Sequence, residues 1–329
     1  LDLTENLFHT LPSTISHLTN LEFLSVTGSR VQSLPDSLFS LTNLKGLFLS
    51  DNDLYETTLS SLSNLTNLEV LDLSHNRIVG DFPSEIGMLS NLKELFWYEN
   101  GFVSGGLPRE IGRLSNLQIM DISYNRMTIQ LYDFVGNLTS LQILRIASNR
   151  AIGTIPTEIG NLRNLKVFDF SAVRDNFSTM KESNSYFTGT LPTEIGEMTS
   201  LEEVTGSCHG LRGSLPTEIG MLTRLRQLDL GDNYFTGPLP ESIGMLNDLR
   251  YLRLRGLDLS GQYPSELSNI NNSVCFDFVG TSLEGMPPSG LCNGSYTEIM
   301  VSCYGMDTPC ACCICDGDDK CYPHMRHGV

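Results

Sequence analysis

The chain has 329 residues, 38 of them acidic and 21 basic, for a formal net charge of −17. That sign argues against nucleic acid, whose phosphates need clustered Lys and Arg, and no apolar run approaches the roughly 20 residues that cross a bilayer. Length alone suggests about two domains, and the nine cysteines are unevenly placed: eight fall between Cys275 and Cys321, leaving Cys208 alone in the body.

The first six residues, Leu1-Asp2-Leu3-Thr4-Glu5-Asn6, read as the second half of a frame, L-x-x-L-x-x-L-x-L-x-x-N. The frame is complete at Leu41, Leu44, Leu47, Leu49, Asn52 and at Leu65, Leu68, Leu71, Leu73, Asn76. It returns at Leu89, Leu92, Leu95, Trp97, Asn100 and at Leu114, Leu117, Met120, Ile122, Asn125, and further copies end at Asn149 and Asn233. In degenerate copies Ser29, Val173, His209, Leu257 and Thr281 stand at the Asn position. Successive ends step by 23, 23, 24, 24, 25, 24, 24, 36, 24, 24 and 24 residues. A solenoid normally caps its apolar ends, so a start inside the frame implies missing N-terminal sequence, where a signal peptide, membrane anchor or other domain would lie.

The spacing has a physical reading. L-x-L puts two leucines on one side of a strand, because side chains alternate with period 2. One coil cannot bury that row alone, so stacked coils share one column. The Asn side chain satisfies backbone groups at the bend that follows. The frame is identified as the leucine-rich repeat, which predicts an α/β solenoid: a horseshoe with a parallel concave β-sheet of thirteen strands, Leu1–Leu3 to Ile299–Val301, and short 3-10 or irregular return segments. Trp97, the only Trp, occupies an inward leucine slot and is expected in the core.

A second signature, G-x-[LIFY]-P, follows most Asn positions: Gly80 to Pro83, Gly153 to Pro156, Gly189 to Pro192, Gly213 to Pro216, Gly237 to Pro240 and Gly261 to Pro264. Ile-Gly pairs come next, as at Ile159-Gly160, Ile195-Gly196 and Ile219-Gly220. Pro fixes φ and lacks a donor, which suits the return side, and Gly permits a tight turn. With these residues the chain resembles the plant-type leucine-rich repeat of receptor ectodomains and polygalacturonase-inhibiting proteins, over essentially residues 1–290.

The one long step marks a polar insertion near 174–186, either a tolerated surface loop or a binding element. Residues 1–290 are thus read as about twelve coils and 291–329 as a Cys-rich cap and tail. Cys275, Cys292, Cys303, Cys310, Cys312, Cys313, Cys315 and Cys321 form the cap; eight cysteines allow 105 pairings. A metal cluster would enlist Cys310, Cys312, Cys313, Cys315, His324 and His327, but C-x-C-C-x-C lacks the paired knuckles of structural zinc sites. Disulfides and no metal are the expectation, and disulfides need an oxidising compartment. The Cys-rich end resembles leucine-rich repeat proteins of diatoms and related algae. Sequons at Asn64, Asn137, Asn176, Asn271 and Asn293 fit a glycosylated surface, although Asn64-Leu-Thr and Asn137-Leu-Thr are also the repeat's own idiom.

Candidate binding residues come from the solvent side of the sheet. The position between the two leucines reads Ser25, Phe48, Asp72, Phe96, Asp121, Arg145, Asp169, Thr205, Asp229, Arg253 and Asp277. Phe48, Phe96, Tyr98 and Tyr124 place aromatics there, a favoured anchor chemistry. Arg226, Arg250, Arg253 and Arg255 form a basic cluster suited to carboxylate, sulfate or phosphate ligands, or else one neutralised by Asp229 and Asp232 in surface pairs. Cys208-His209 lacks the third orienting group of a nucleophile pair, so a buried thiol is the expectation. No G-x-S-x-G, P-loop or H-E-x-x-H motif occurs, and neither enzyme activity nor a cofactor is expected. The resemblance implies an extracellular or cell-surface module recognising a protein, peptide or glycan on the concave sheet of a receptor-like or adhesion protein. A secreted inhibitor of a wall-degrading hydrolase is the alternative, and membrane attachment would come only through sequence before Leu1.

Overall fold

The computed structural model describes residues 1–55, 59–172, 186–270, 275–293, 298–301 and 313–315, in two compact units, Leu1–Phe187 and Thr188–Val329. The insertion near 174–186 lies, apart from Tyr186, outside the described residues.

The predicted strands form at the L-x-L positions. In the first unit Phe23–Ser25, Gly46–Phe48, Val70–Asp72, Glu94–Phe96, Ile119–Asp121, Ile143–Arg145 and Val167–Asp169 run parallel. Their middle residues Leu24, Leu47, Leu71, Leu95, Met120, Leu144 and Phe168 stand in register and are buried. In the second unit Glu203–Thr205, Gln227–Asp229, Tyr251–Arg253, Cys275–Asp277 and Glu298–Val301 repeat the arrangement. The ends differ from expectation. Leu1–Leu3 is reduced to a single bridge between Asp2 and Ser25, because an outermost coil has a neighbour on one side only. At the other end Cys313–Cys315, read as cap, adds a further parallel strand against Ile299–Val301.

Each bend after a strand is built the same way. The residue before the Asn position is left-handed, with φ of 50° to 64° at Glu5, Asp51, His75, Glu99, Tyr124, Ser148, Cys208 and Asp232, a conformation that costs an L-residue roughly 1–2 kcal/mol. The Asn that follows holds it. Asn76 donates from Nδ2 to the carbonyls of Leu73 and Ser74 in its own coil and of Leu49 in the preceding coil, and its Oδ1 accepts from Leu54 N at 3.0 Å. Asn52, Asn149 and Asn233 repeat this pattern. Where Ser29, Leu257 and Thr281 replace the Asn, the left-handed residue is Gly28, Gly256 or Gly280, which adopts that conformation without a Cβ penalty.

The return side is more regular than the sequence reading allowed. After the bend a second parallel sheet forms, with Thr188–Gly189, Gly210–Gly213, Tyr234–Gly237, Asp258–Gln262 and Ser282–Glu284 in the second unit. The Pro then caps a 3-10 turn such as Ser84–Met88 or Thr217–Met221. The two repeated glycines have separate tasks. Gly80 is left-handed, with φ of 95° and open space where a Cβ would point. A Cβ on Gly87 would collide with the carbonyl oxygen of Glu110 in the next coil, so the Ile-Gly glycine sets coil-to-coil approach, not a turn. A second, exposed Asn ladder ties these turns together: Asn43, Asn67, Asn91, Asn116 and Asn164 donate to Thr19, Thr42, Thr66, Ser90 and Thr139 carbonyls.

These contacts set a hierarchy. Asn76→Ala leaves buried carbonyls and an amide unpaired and is expected to lower stability by about 2–4 kcal/mol, whereas Asn67→Ala, whose partners water can replace, loses about 1 kcal/mol or less. The buried Ser29 hydroxyl has no partner among the described residues, and Ser29→Asn, which continues the ladder, is expected to gain on the order of 1 kcal/mol. Urea melts of the three variants check the ranking.

Candidate ligand-binding face

Because side chains alternate, the first and third residues of each inner strand both face solvent, giving two columns. The third-residue column of the first unit is Ser25, Phe48, Asp72, Phe96, Asp121, Arg145 and Asp169. The first-residue column is Phe23, Gly46, Val70, Glu94, Ile119, Ile143 and Val167. Sequence reasoning missed this second column, since it considered only the residue between the leucines. The signal was present as the Val or Ile before the first inward residue of the L-x-L pair in Val70-Leu71, Ile119-Met120, Ile143-Leu144 and Val167-Phe168. Val70, Ile119, Ile143 and Val167 are half-buried and Phe23 is 50% exposed.

The predicted aromatics lie on this face. Phe48 and Phe96 are half-buried two coils apart. Phe23 and Phe48 flank Gly46, where a Cβ would meet their rings at 2.7 and 2.8 Å, so glycine leaves room for both rings. Tyr98 follows Phe96 on the same coil and stands edge-on to His75, centroids 5.0 Å apart; His75 Nδ1 is 2.9 Å from Glu99. Tyr124 holds a left-handed bend one coil on. Burial raises the pKa of both tyrosines.

The acidic members of the column correct the sequence reading, which treated the whole column as open to solvent. Asp121, Asp229 and Asp277 are buried, as is Thr205. The reason is local: in Asp-x-Ser and its relatives the carboxylate turns back to the chain. Ser123 N and Oγ donate to Asp121 Oδ1 at 3.1 and 2.6 Å, Gly231 N to Asp229 at 3.0 Å and Val279 N to Asp277 at 3.0 Å. Burial is the largest influence on all three carboxyls and raises their pKa above the usual carboxylate range.

The basic cluster is largely neutralised. Arg253 lies between two buried carboxylates, with NH1 3.2 Å from Asp229 and Nε 3.9 Å from Asp277, while the exposed Arg226 pairs with Glu202 at 2.9 Å. Arg255 also acts on Asp277, and Arg250 is exposed. The pairs of Arg253 are therefore half-buried, not the surface bridges expected. Arg145 reaches Asp121 in the same manner at 3.8 Å.

The remaining sequence candidates separate. Asn64 and Asn137 are exposed on 3-10 turns. Asn176 and Asn271 lie outside the described residues, and Asn293 closes a turn with its side chain outside them. Cys275 is buried and disulfide-bonded. The side chains of Cys292, Cys313 and Cys315 are not among those described, nor are Cys303, Cys310, Cys312 and Cys321, nor the alternative ligands His324 and His327. Cys208 is a thiol and only half-buried, 4.0 Å from Asp232 Oδ2, because it occupies a bend and not the core. The buried residue of that pair is His209.

A leucine-rich repeat region model matches residues 1–102, and a leucine rich repeat model matches residues 224–246. The plant peptide hormone receptor RGFR1, solved in complex with RGF2, is 27% identical with a TM-score of 0.74, covering 91% of this chain and 51% of that one. The chain carries leucine-rich repeats and is similar to plant receptor ectodomains built from them. A TDR receptor structure agrees, at 26% identity and a TM-score of 0.76, covering 88% of this repeat protein and 54% of the receptor. An internalin from Listeria monocytogenes, 21% identical with a TM-score of 0.67 and coverage of 88% and 76%, shares the fold alone. This repeat protein spans about half the length of the two receptor chains it matches. The curated proteins offer no match.

The buried acids carry a pH signature. A carboxyl whose folded pKa lies above its unfolded value binds its proton more tightly when folded, so its contribution to stability rises as pH falls through the folded pKa. Asp229→Asn removes that titration. The stability of the parent relative to this variant is therefore expected to increase between pH 7 and pH 4.5, read from urea melts at both; a difference that shrinks on acidification contradicts the assignment.

Proposed function

We propose that this repeat protein is a non-enzymatic extracellular recognition module that binds a polypeptide on the solvent face of its inner sheet. The observation that carries the reading is the first unit's face: half-exposed Phe48, Val70, Phe96, Ile119, Ile143 and Val167 in two adjacent columns. The same strands bury their leucines on the other side, so the core does not need these residues. Apolar residues arranged with carboxylates over several coils suit a polypeptide, which presents apolar and charged side chains at regular spacing. RGFR1, solved with RGF2, supports a peptide ligand by similarity, and the disulfide at Cys275 supports an oxidising, extracytoplasmic compartment. A rigid solenoid holds these side chains in place before binding, which lowers the ordering cost of association.

Selection from a displayed library of random dodecapeptides against the full chain, produced with its disulfides intact, tests the reading. Recovered peptides are expected to lose at least about tenfold in affinity for a Phe48→Ala, Phe96→Ala, Ile143→Ala variant, the loss expected when interface anchors are truncated. Glu158→Gln, on a 3-10 turn, is expected to leave affinity unchanged. A selection that yields no peptide dependent on the three face residues overturns the proposal.

A further inference from the structure

The third-residue column contains one motif twice. Arg145 stands in register between Asp121 and Asp169, and Arg253 between Asp229 and Asp277. In each the chain supplies its own guanidinium to a carboxylate, at 3.8 Å from Asp121 and at 3.2 Å from Asp229. A third pair of aspartates, Asp72 and Asp121, flanks Phe96 in the same register. Here the slot between the acids holds an aromatic ring in place of a cation.

The surroundings of Phe96 fit a cation from elsewhere. Asp72 uses Oδ1 for Ser74, whose N and Oγ donate at 3.0 and 2.6 Å. Among the described residues no Lys, Arg or His pairs with Asp72 or with Glu94, the half-exposed neighbour of Phe96 on the same strand face. The lysines nearest in sequence are engaged: Lys45 with Glu22 at 2.9 Å and Lys93 with Glu69 at 2.6 Å. Tyr98 completes the border, and the nearby charges that act on its hydroxyl are carboxylates: Asp72, Asp121 and Asp51. Strands lie about 4.8 Å apart, so a guanidinium or ammonium laid on the Phe96 ring is within one strand spacing of a carboxylate on either side. It would gain both a cation–π contact and charge-assisted hydrogen bonds.

We infer that Phe96, Asp72 and Glu94 form a subsite for a cationic side chain, Arg or Lys, of the bound peptide. The inference rests on the reading of this face as a peptide-binding surface and specifies its ligand chemistry. Charge complementarity supports it: Arg145 serves Asp121, but among the described residues no cation of the chain pairs with Asp72 or Glu94, and the chain as a whole carries −17.

The dodecapeptide selection described above supplies the probes. Recovered peptides are expected to carry Arg or Lys at a fixed position. Replacing that Arg by citrulline, which keeps the shape and removes the charge, should weaken binding about tenfold or more, as should Asp72→Asn in the protein. The peptide substitution leaves the protein's fold untouched, and unchanged thermal midpoints by circular dichroism qualify the protein variant. Peptides that depend on Phe48, Phe96 and Ile143 yet lack a basic residue, or tolerate citrulline, overturn the subsite and leave the peptide-binding reading standing. No recovered peptide at all overturns both.

Discussion

The clamp between each ladder Asn and the bend of the coil before it is the contact on which the rest depends. A strand can turn sharply toward the return side only if one residue becomes left-handed, and the carbonyls just before it are then directed into the core. Both difficulties are met by one amide. Its two donor hydrogens reach carbonyls of two coils, and its oxygen takes the backbone N–H just past the previous bend. A coil followed by a ladder Asn is therefore fixed by its successor, and there the period near 24 residues is enforced chemically. Where the amide is missing, glycine at the left-handed residue removes the strain instead of restraining it.

With strand position fixed in this way, the solvent face is released from structural duty. The leucine columns bury the same chemistry in every coil, whereas the two outward columns change character along the chain. In the first unit they are aromatic, β-branched and acidic. In the second they are polar, with Tyr251 and Arg253 between Gln227, Asp229 and Asp277. The carboxylates of the third-residue column are common to both, each folded back onto the amide two residues ahead. What differs is the residue between them. Arginine closes the charge within the protein, and beside phenylalanine Asp72 is left for a partner.

Much of this was legible in the sequence, because a repeat shows its own registration. The strand centres, the inward place of Trp97 and the bend Asn residues followed from spacing alone, since burial of a periodic leucine row admits one arrangement. The second sheet did not follow: its residues, such as Tyr234–Gly237, carry no alternating apolar pattern and pair only because neighbouring coils already lie side by side. The first-residue column was visible as Val70, Ile119, Ile143 and Val167 but went unread, although period 2 places it beside the column that was read. The burial of Asp121, Asp229 and Asp277 depends on a turn-back to the residue two ahead, which Asp-x-Ser signals locally. The arginine cluster was legible in part: Asp229 is the partner the sequence offered for it, but the partners lie a full coil away, and only the register shows that Arg253 falls between two acids.

Cys208 shows how far the clamp can carry a poor local sequence. Its φ of 64° is left-handed, yet it is not glycine, and His209 stands where the Asn of its coil belongs. Neither of the two usual solutions is present. The next coil compensates: Asn233 Nδ2 donates to Gly206 O at 2.9 Å, and its Oδ1 accepts from Leu211 N at 3.2 Å, so one amide grips the chain before and after the strained pair. Strain of about 1–2 kcal/mol at one bend is tolerable when hydrogen bonds of comparable worth from the following coil span it. The same logic accounts for the order of substitutions at the far end. Leu257 and Thr281 have no ladder Asn in the coil that follows, and there the left-handed residues are glycines, Gly256 and Gly280. A non-glycine bend is kept where its own Asn or that of the next coil can hold it.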